Sequence, residues 1–525
     1  MATPPSSPPG PELDWLRSEV SRFFPVYETR ITPTSLVLLV HADAATLEER
    51  FDALRRDLWP KFYVPQLRYA QGEYTVEIVR RTARNTWGFW VNLALLAATV
   101  ISTAFAGAFL WLSYVGSATL VPSDFLWGGL YFAAPLLAIL GLHELAHYVV
   151  ARYHHVEASL PYFLPVPPPY LIFGTFGAFI SLREPIPSRK VLFDIGAAGP
   201  LAGFLVAIPV TIAGMFLSVH APVLSPTNCG PTILGVNYGN LLIGLPAAWQ
   251  LLSLFVPNAA AIVNLHPLAL AGWVGLLVTS INLLPAGQLD GGHVFRALFG
   301  DRSRYVSYAA VIFLALIGFV TLYLGWLLFA VLIILLGVRH PPPLNDVSPL
   351  GLRRYIVGAL VVAVLFGGFV LVPISTPGDS FALEKPMATP VSGTAFGVAS
   401  LINVTVSNHD PVVHAYEVSA NVTQVVLQNA SHGAGPLSGP ALTAFLANSS
   451  WTIVLPNGMV VPERGVGTWT LPATEYLTLS AQTSGTVRVT YTNPQAATLN
   501  VAFTASQFCN GSGGGATSPQ TVVVY

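Results

Sequence analysis

The chain has 525 residues, of which 53% are hydrophobic and only 9% are charged, and its net charge is −1. A soluble protein carries about 25% charged residues, so this composition excludes an ordinary soluble globular protein. A net charge near zero gives no sign of a nucleic-acid partner, and we expect none.

The N-terminal part differs in composition from the apolar blocks that follow it. Residues 1–10 form a Pro-rich lead that we expect to be disordered. The first residues lack the basic and apolar regions of a signal peptide and the Arg-rich character of a transit peptide. Between residues 11 and 84, segments with helical spacing alternate with strand-like runs, which predicts a small soluble α+β domain.

Long blocks without any charged residue follow, for example from Asn85 to Ser123 and from Ile195 to Leu289. A helix needs about 20 apolar residues to cross a bilayer. The blocks therefore predict a mainly α, polytopic membrane domain over residues 85–375, with about six to eight transmembrane helices embedded in the lipid bilayer. We place the spans at residues 88–114, 126–152, 191–218, 262–286, 305–322, 324–338 and 354–374. A further partial span is expected at 240–258.

Basic residues predict the orientation of these helices, because cytoplasmic loops carry an excess of Lys and Arg. Such residues cluster before the first span, after the second, after the fourth and before the last. The alternate loops, 115–125 and 219–239, contain one acidic residue and no basic one. The pattern predicts a multi-pass protein of the cell membrane with a cytoplasmic N-terminus and a C-terminal domain outside.

The tail over residues 376–525 changes composition sharply and contains alternating runs such as "VASLINVTVSN" and "TVRVTYTN". Period-two alternation of this kind predicts a β-sandwich-like extracytoplasmic domain. The two cysteines, Cys229 and Cys509, both fall on the predicted outer side. A disulfide between them and two unrelated thiols both remain open.

The stretch "GLHELAHYVV", residues 141–150, puts ionisable residues into an otherwise apolar segment. Helical spacing of i and i+4 points His143 and His147 to one face, and imidazole nitrogens are preferred zinc ligands. Glu144 is placed to take a proton from a metal-bound water. The same motif occurs by chance on solvated helices, but an ionisable group within a span costs about 2.5–3.5 kcal/mol, which favours a functional metal site.

Asp290 is the candidate for the third ligand, because it is the first charged residue after the charge-free block that ends at Leu289. Pro285 and Gly287 should break the fourth span there, and Gly291 and Gly292 permit a close turn. A carboxylate on a broken helix that lines a cavity is tolerated within a membrane. His293 is a rival ligand, although it fits better as a polar group at the membrane face.

Together, "HELAH" and "NLLPAGQLDGG" resemble the two signatures of the site-2 protease family of intramembrane zinc metalloproteases. The stretch "GTFGAFISLREPIPSRKVLFDIGAAGPLAGF" is similar to the branch found in cyanobacteria, chloroplasts and many archaea. The resemblance covers about residues 90–340. It implies that His143, His147 and Asp290 hold Zn²⁺, that Glu144 is the catalytic base, and that Asn282 and Pro285 help to bind the substrate.

The resemblance further implies that "PYFLPVPPPYLIFGTFGAFISL" forms a β-hairpin or re-entrant segment beside the site. Asn282 has an alternative role in a simple interhelical hydrogen bond. Gly196, Gly199 and Gly203 fit close helix packing.

The sequence thus predicts an intramembrane zinc endopeptidase that cuts transmembrane or membrane-proximal segments of membrane proteins, as in regulated intramembrane proteolysis. Two other classes stay open: a metal-handling transporter that uses the same ligands, and a non-catalytic receptor or scaffold that works through its outer β-domain. A transporter is expected to show repeated halves with polar groups in both, whereas a scaffold needs no ligand set with an adjacent base.

Overall fold

The computed structural model divides the chain into two compact units, which we describe separately. The first unit comprises Met1–Trp111, Val121–Ala221 and Ile243–Pro373, and the second comprises Leu112–Leu120, Pro222–Leu242 and Ile374–Tyr525. The residues that the structure describes are 10–32, 35–81, 88–117, 119–168, 170–220, 232–233, 236–237, 242–259, 262, 264–375, 381–391, 399–409, 414–427, 436–464, 468–470, 477–479, 483–495, 497–507 and 520–524. Cys229 and Cys509 lie outside these residues, so their pairing stays a prediction.

The N-terminal part of the first unit is a four-stranded antiparallel sheet with two helices. The sheet has the order β1-β2-β4-β3. Alternating apolar residues place the side chains of Leu36 and Leu38 in a core with Leu16 and Phe51 from the helices. The elements in chain order are α1 Gly10–Ser21, β1 Val26–Ile31, β2 Leu36–Val40, α2 Leu47–Leu58, β3 Tyr63–Ala70 and β4 Glu73–Arg80.

The rest of the first unit is mainly helical. Over the described residues, four helices are long and apolar enough to cross a membrane: Phe89–Val115, Pro122–Tyr153, Arg189–Val219 and Asp290–Val320. We name the first three α3, α4 and α5, and we divide the fourth into two helices. The other helices are α6 Ala247–Ser253, α7 Pro267–Asn282, α8 Asp290–Phe299, α9 Ser303–Val320, α10 Leu324–Leu336 and α11 Leu352–Gly368.

The fourth predicted span differs from the expectation of one helix over 262–286. Here α7 ends at Asn282, and a non-helical segment leads to α8, which begins at Asp290. Pro285 lacks an N–H donor and Gly287 has φ +57°, so neither suits a continuing helix. Gly291 packs so closely on this segment that a Cβ there would lie 2.0 Å from the carbonyl oxygen of Leu283. The break expected at Pro285 and Gly287 is present, and Asp290 is the first residue of the helix that follows it.

A β-hairpin follows α4, as the family resemblance implied. Its strands, β5 Tyr162–Pro165 and β6 Thr175–Phe179, form a two-stranded antiparallel sheet. Tyr162 pairs with Phe179, and Leu164 pairs with Gly177. Each strand has one edge that the partner strand does not cover.

The described residues of the second unit are mostly β-strands. The two-residue strands of the chain are β7 Thr232–Ile233, β8 Val236–Asn237, β9 Leu242–Ile243 and β10 Ile374–Ser375. Where the structure describes the tail, it contains one helix, α12 Gly439–Ala447. The strands described there are β11 Phe381–Leu383, β12 Met387–Pro390, β13 Ala399–Asn408, β14 His414–Leu427, β15 Ser450–Val454, β16 Val460–Arg464, β17 Thr468–Thr470, β18 Leu477–Leu479, β19 Ser484–Thr492, β20 Ala497–Gln507 and β21 Gln520–Val524.

The tail strands form two sheets around one core. The first has the order β11-β13-β19-β15-β16 with β12 beside β13, and the second has the order β17-β14-β20-β21 with β18 beside β14. Trp451 and Val489 of the first sheet and Tyr416 and Phe503 of the second belong to the same buried cluster. Two sheets that share a core in this way form a β-sandwich. A membrane-type helical part and a separate β-rich part are thus confirmed, while the number of spans stays a prediction.

In the first unit, the N-terminal sheet is tied to the loops beside the membrane-type helices. The Arg55 guanidinium on α2 donates to the Glu184 carboxylate at 2.8 Å, and both side chains are almost completely buried. At the edge of β3, the Leu67 N–H donates to the Leu344 carbonyl, and the Leu344 N–H donates to the Ile186 carbonyl. Leu344 also enters the N-terminal core. These contacts make the N-terminal sheet part of one unit with the helices.

Replacement of Arg55 by alanine should destabilise this unit strongly, because Glu184 would remain as a buried and uncompensated carboxylate. We expect a loss of about 3 kcal/mol in the free energy of unfolding, since removal of one partner of a buried ion pair is costly. Chemical denaturation of the full-length protein in detergent micelles measures this loss. The matched control is Arg56→Ala, whose exposed ion pair with Asp52 is worth less than about 1 kcal/mol. Equal effects of the two substitutions would contradict the structural role of the buried pair.

Candidate active site

Helix α4 carries two histidines on one face near its C-terminal end. His143 and His147 are only 3% and 4% exposed, and their ring centroids are 4.9 Å apart. They share a face because residues at i and i+4 lie one above the other in a helix. His147 lies six residues before the end of the helix at Tyr153, or about 9 Å along its axis at 1.5 Å per residue. The pair is therefore buried but near one end of the apolar span.

Asp290 approaches both histidines from the start of α8. Its Oδ2 lies 3.1 Å from Nε2 of His143 and 3.3 Å from Nε2 of His147. One ligand atom from each of the three residues lies within 4.8 Å of the others. Among the described residues, these three form a group that can hold a metal ion, and they are the three that the sequence nominated.

The distances from the Asp290 oxygen to the two imidazole nitrogens fit a zinc ion. Nitrogen and oxygen ligands about 2.0–2.1 Å from a tetrahedral zinc lie roughly 3.3 Å from one another, which matches both distances to Asp290. The Nδ1 of His147 lies 2.7 Å from the carbonyl oxygen of Ile195. An N–H at that position donates to the carbonyl and leaves the Nε2 lone pair directed at the group. A hydrogen bond of this kind fixes the tautomer and the ring orientation of a metal-binding histidine.

Glu144 follows His143 directly and is 6% exposed. Its carboxylate lies near the backbone N–H of Ile180, the residue that follows β6. The carboxylate is therefore beside the hairpin and close to the ligand group.

Helix α5 leaves room for the ligands through its glycines. A Cβ on Gly199 would lie 2.1 Å from Nε2 of His147, and a Cβ on Gly203 would lie 3.0 Å from Nδ1 of His143. A Cβ on Gly196 would lie 2.6 Å from Cβ of His293. The sequence predicted close helix packing for these glycines. The structure shows more specifically that the imidazole of His147 lies against the bare backbone of Gly199.

The other predicted site residues lie along the break and on α8. Asn282 is the half-buried last residue of α7, and Pro285 is buried in the segment that follows. Their substrate-binding role stays a prediction. The rival ligand His293 has its Nδ1 3.0 Å from the Leu289 carbonyl. Among the described residues, the group that can hold a metal does not include it.

A cavity of about 490 Å³ adjoins the site, and no motif in the sequence indicates it. The ring of His293 faces that of His340 at a centroid distance of 4.4 Å. Burial, assisted by the neighbouring His293, lowers the pKa of His340 to about 3, so its imidazole is neutral at physiological pH. Burial also raises the pKa of Glu184, against the opposing effect of Arg55. The cavity is lined by Phe179, Ile180, Ser181, Leu182, Glu184, Pro185, Ile186, Leu192, Gln288, His293, His340, Pro341, Pro342 and Pro343.

Comparisons with known proteins agree with this site. Residues 131–325 match the model of Peptidase family M50. The chain is 35% identical over 237 residues to the probable zinc metalloprotease EGY1, chloroplastic, of Arabidopsis thaliana, which covers 44% of this chain and 41% of that protein. It is 31% identical over 259 residues to the probable zinc metalloprotease EGY2, chloroplastic, of Oryza sativa subsp. indica. This match covers 48% of this chain and 44% of that protein. The matches thus span about two fifths of the length of these relatives.

A solved structure, the N-terminal domain of PorA, matches 26% of this chain and 81% of that chain with 11% identity and a TM-score of 0.15. This score is too low to indicate a common fold.

The buried His–His–Asp group on apolar helices defines a membrane protein with a metal-ligand site of the H-E-x-x-H type. The match over residues 131–325 to Peptidase family M50, together with the similarity to the chloroplast relatives, supports the site-2 protease family for this part of the chain. The resemblance seen in the sequence motifs is therefore confirmed.

Replacement of Gly199 by alanine should abolish metal binding, because the new methyl group would displace the His147 ring. Metal analysis of the purified protein by mass spectrometry measures this loss. The control is Gly141→Ala, two residues before His143, where a Cβ would make an ordinary contact of 3.6 Å with Phe163. We expect Gly141→Ala to retain the metal of the wild type. Full metal content in Gly199→Ala would show that the ring does not depend on the open backbone of α5.

Proposed function

We propose that the protein is a membrane-embedded zinc endopeptidase that cuts transmembrane or membrane-proximal segments of other membrane proteins. The observation that carries this proposal is the convergence of His143, His147 and Asp290 within apolar helices, with Glu144 beside them. Ionisable groups are expensive in such helices and usually mark function. The names of the relatives support a zinc metalloprotease, and the activity of this whole chain is our inference.

In this proposal, His143, His147 and Asp290 hold zinc, which supplies Lewis-acid polarisation of a peptide carbonyl and lowers the pKa of a water. Glu144 accepts a proton from the attacking water and delivers it to the leaving amine nitrogen. The backbone of Ile180 lies near the Glu144 carboxylate, so the end of β6 borders the proposed base. The fixed tautomer of His147 keeps its Nε2 directed at the ligand group.

The hairpin offers a way to hold a substrate. A transmembrane helix hides its peptide bonds in internal hydrogen bonds, so it must unwind before it is cut. An uncovered edge of the two-stranded sheet can pair with an extended peptide by strand addition. We assign to Asn282 and Pro285, in the break before Asp290, the binding of that peptide near the ligands.

The proposed topology follows the basic residues. The N-terminal domain, residues 11–84, lies on the cytoplasmic side after the lead 1–10, the protease domain covers 85–375, and the β-rich domain, 376–525, lies outside. Support comes from the first unit, where Lys190 at the start of α5 forms an ion pair with Glu48 on α2. The basic loops and the N-terminal sheet therefore share one end of that unit, as the positive-inside rule requires.

The alternatives predict different behaviour. A metal-handling transporter needs the ligands but no general base beside them, and a receptor or scaffold needs neither. The position of Glu144 next to the ligand group favours a hydrolase over both. Substitution of Glu144 therefore separates a hydrolase from the other two classes.

The variant Glu144→Gln should keep zinc and lose cleavage of a model membrane substrate by about 10²–10⁴-fold, the usual contribution of general acid–base catalysis. Asp290→Ala should lose both zinc and cleavage. Cleavage is measured with substrate and protein in the same lipid vesicles, and zinc by metal analysis. The control is Glu157→Gln, an exposed carboxyl just beyond α4, which should cleave like the wild type. Undiminished cleavage by Glu144→Gln would refute the assigned role.

A further inference from the structure

Helix α3 is apolar, yet two of its buried polar side chains form hydrogen bonds with residues outside the helix. Asn92 is 8% exposed and Ser102 is 7% exposed. A polar group buried without a hydrogen bond is costly in an apolar environment, so the bonds that these groups make explain their presence. Both groups bond to the segment that contains the hairpin β5–β6.

Asn92 holds the chain just before β5. Its side-chain amide donates to the carbonyl oxygens of Leu160 at 2.9 Å and of Pro161 at 3.0 Å. The two N–H groups of one amide thus satisfy two consecutive carbonyls. The first strand of the hairpin begins at Tyr162, the next residue.

Ser102 holds the chain just before β6. Its hydroxyl donates to the carbonyl oxygen of Gly174 at 2.6 Å. Gly174 has φ +77°, and a Cβ there would lie 2.4 Å from the Ser102 carbonyl oxygen. Only glycine therefore permits both this backbone conformation and this close approach. The second strand begins at Thr175, directly after this contact.

The far end of β6 reaches the catalytic glutamate of the proposed function. The strand ends at Phe179 and packs against α4, the helix that carries Glu144. The backbone of the next residue, Ile180, lies near the Glu144 carboxylate. Because β5 and β6 pair as one antiparallel hairpin, a displacement at Gly174 would shift the strand that ends beside Glu144.

We propose that α3 is the positioning helix of the active site, and that Asn92 and Ser102 are positioning residues that hold the hairpin in register with Glu144. This inference rests on the proposed function for its effect on cleavage. The mechanical part, that α3 holds the hairpin, stands on the hydrogen bonds alone.

The same helix supplies a matched control. Thr103 is also buried, but its hydroxyl donates to the Thr99 carbonyl of α3 itself at 2.7 Å. Ser102→Ala and Thr103→Val each remove one buried hydroxyl that donates to a carbonyl. Only the first of these bonds reaches the hairpin. A general loss of helix packing would affect both variants equally.

The experiment compares wild type, Ser102→Ala, Asn92→Leu and Thr103→Val in the full-length protein. Hydrogen exchange of the backbone amides of residues 162–179 should be faster in Ser102→Ala and Asn92→Leu than in Thr103→Val and wild type. In vesicles with a model membrane substrate, the first two should lower kcat roughly tenfold to a hundredfold, since a misplacement of about 1 Å has effects of this size. Zinc content should be unchanged in all four proteins.

Two results would overturn the inference: equal kcat in Ser102→Ala and Thr103→Val, or unchanged hydrogen exchange of the hairpin in both Ser102→Ala and Asn92→Leu. Asn92→Leu keeps the test decisive if Ser102→Ala fails to fold. If the wild type does not cleave any membrane substrate, the proposed function fails, whereas the exchange measurement still decides whether α3 holds the hairpin.

Discussion

The structure depends on one electrostatic constraint, the cost of ionisable groups inside apolar helices. His143, Glu144 and His147 lie within α4, and Asp290 begins the fourth long apolar segment, Asp290–Val320. A charged group costs about 2.5–3.5 kcal/mol or more at the centre of a span. Bound to one cation, His143, His147 and Asp290 would exchange lost hydration for ligand bonds, which offsets this cost. The convergence requires close approach of α4, α5 and α8. The glycines of α5 and the break before α8 permit this approach.

Several polar contacts fix the frame around the ligands. The Arg189 guanidinium at the start of α5 donates to the carbonyl oxygen of Ala297, near the end of α8. Arg354 on α11 binds Asp194 on α5 through two hydrogen bonds. These bonds tie the helix that carries Asp290 and the helix that carries the glycines to their neighbours. Ligands on such a frame keep the geometry that a metal site needs.

Much of the site could be predicted from the sequence because its signals are local or chemically rare. The i, i+4 spacing gives the shared face of His143 and His147, and the end of a long charge-free block marks Asp290. The hairpin followed from the family resemblance, and period-two alternation indicated the β-sandwich. In each case the pattern is contained in a short stretch of chain.

Other features could not be predicted, because they join residues that are far apart in the sequence. The bond from Ser102 to Gly174 depends on the rotation of α3 and on the position of the hairpin, and neither leaves a periodic signal. The contact of Leu67 with Leu344 likewise joins an N-terminal strand to a loop after α10. The shortness of α7 was missed because its apolar run continues past Asn282 to Pro285. Hydropathy alone does not distinguish a helix from the apolar break that follows it.

The measurement that tests the central claim most directly is X-ray absorption at the zinc K edge on the purified full-length protein. If two imidazoles and one carboxylate bind the zinc, the spectrum should show a shell of nitrogen and oxygen atoms at about 2.0–2.1 Å and no sulfur. It should also show the outer-shell scattering of two histidine rings. A sulfur shell at about 2.3 Å, or a spectrum without imidazole scattering, would contradict the convergence of His143, His147 and Asp290 on one ion.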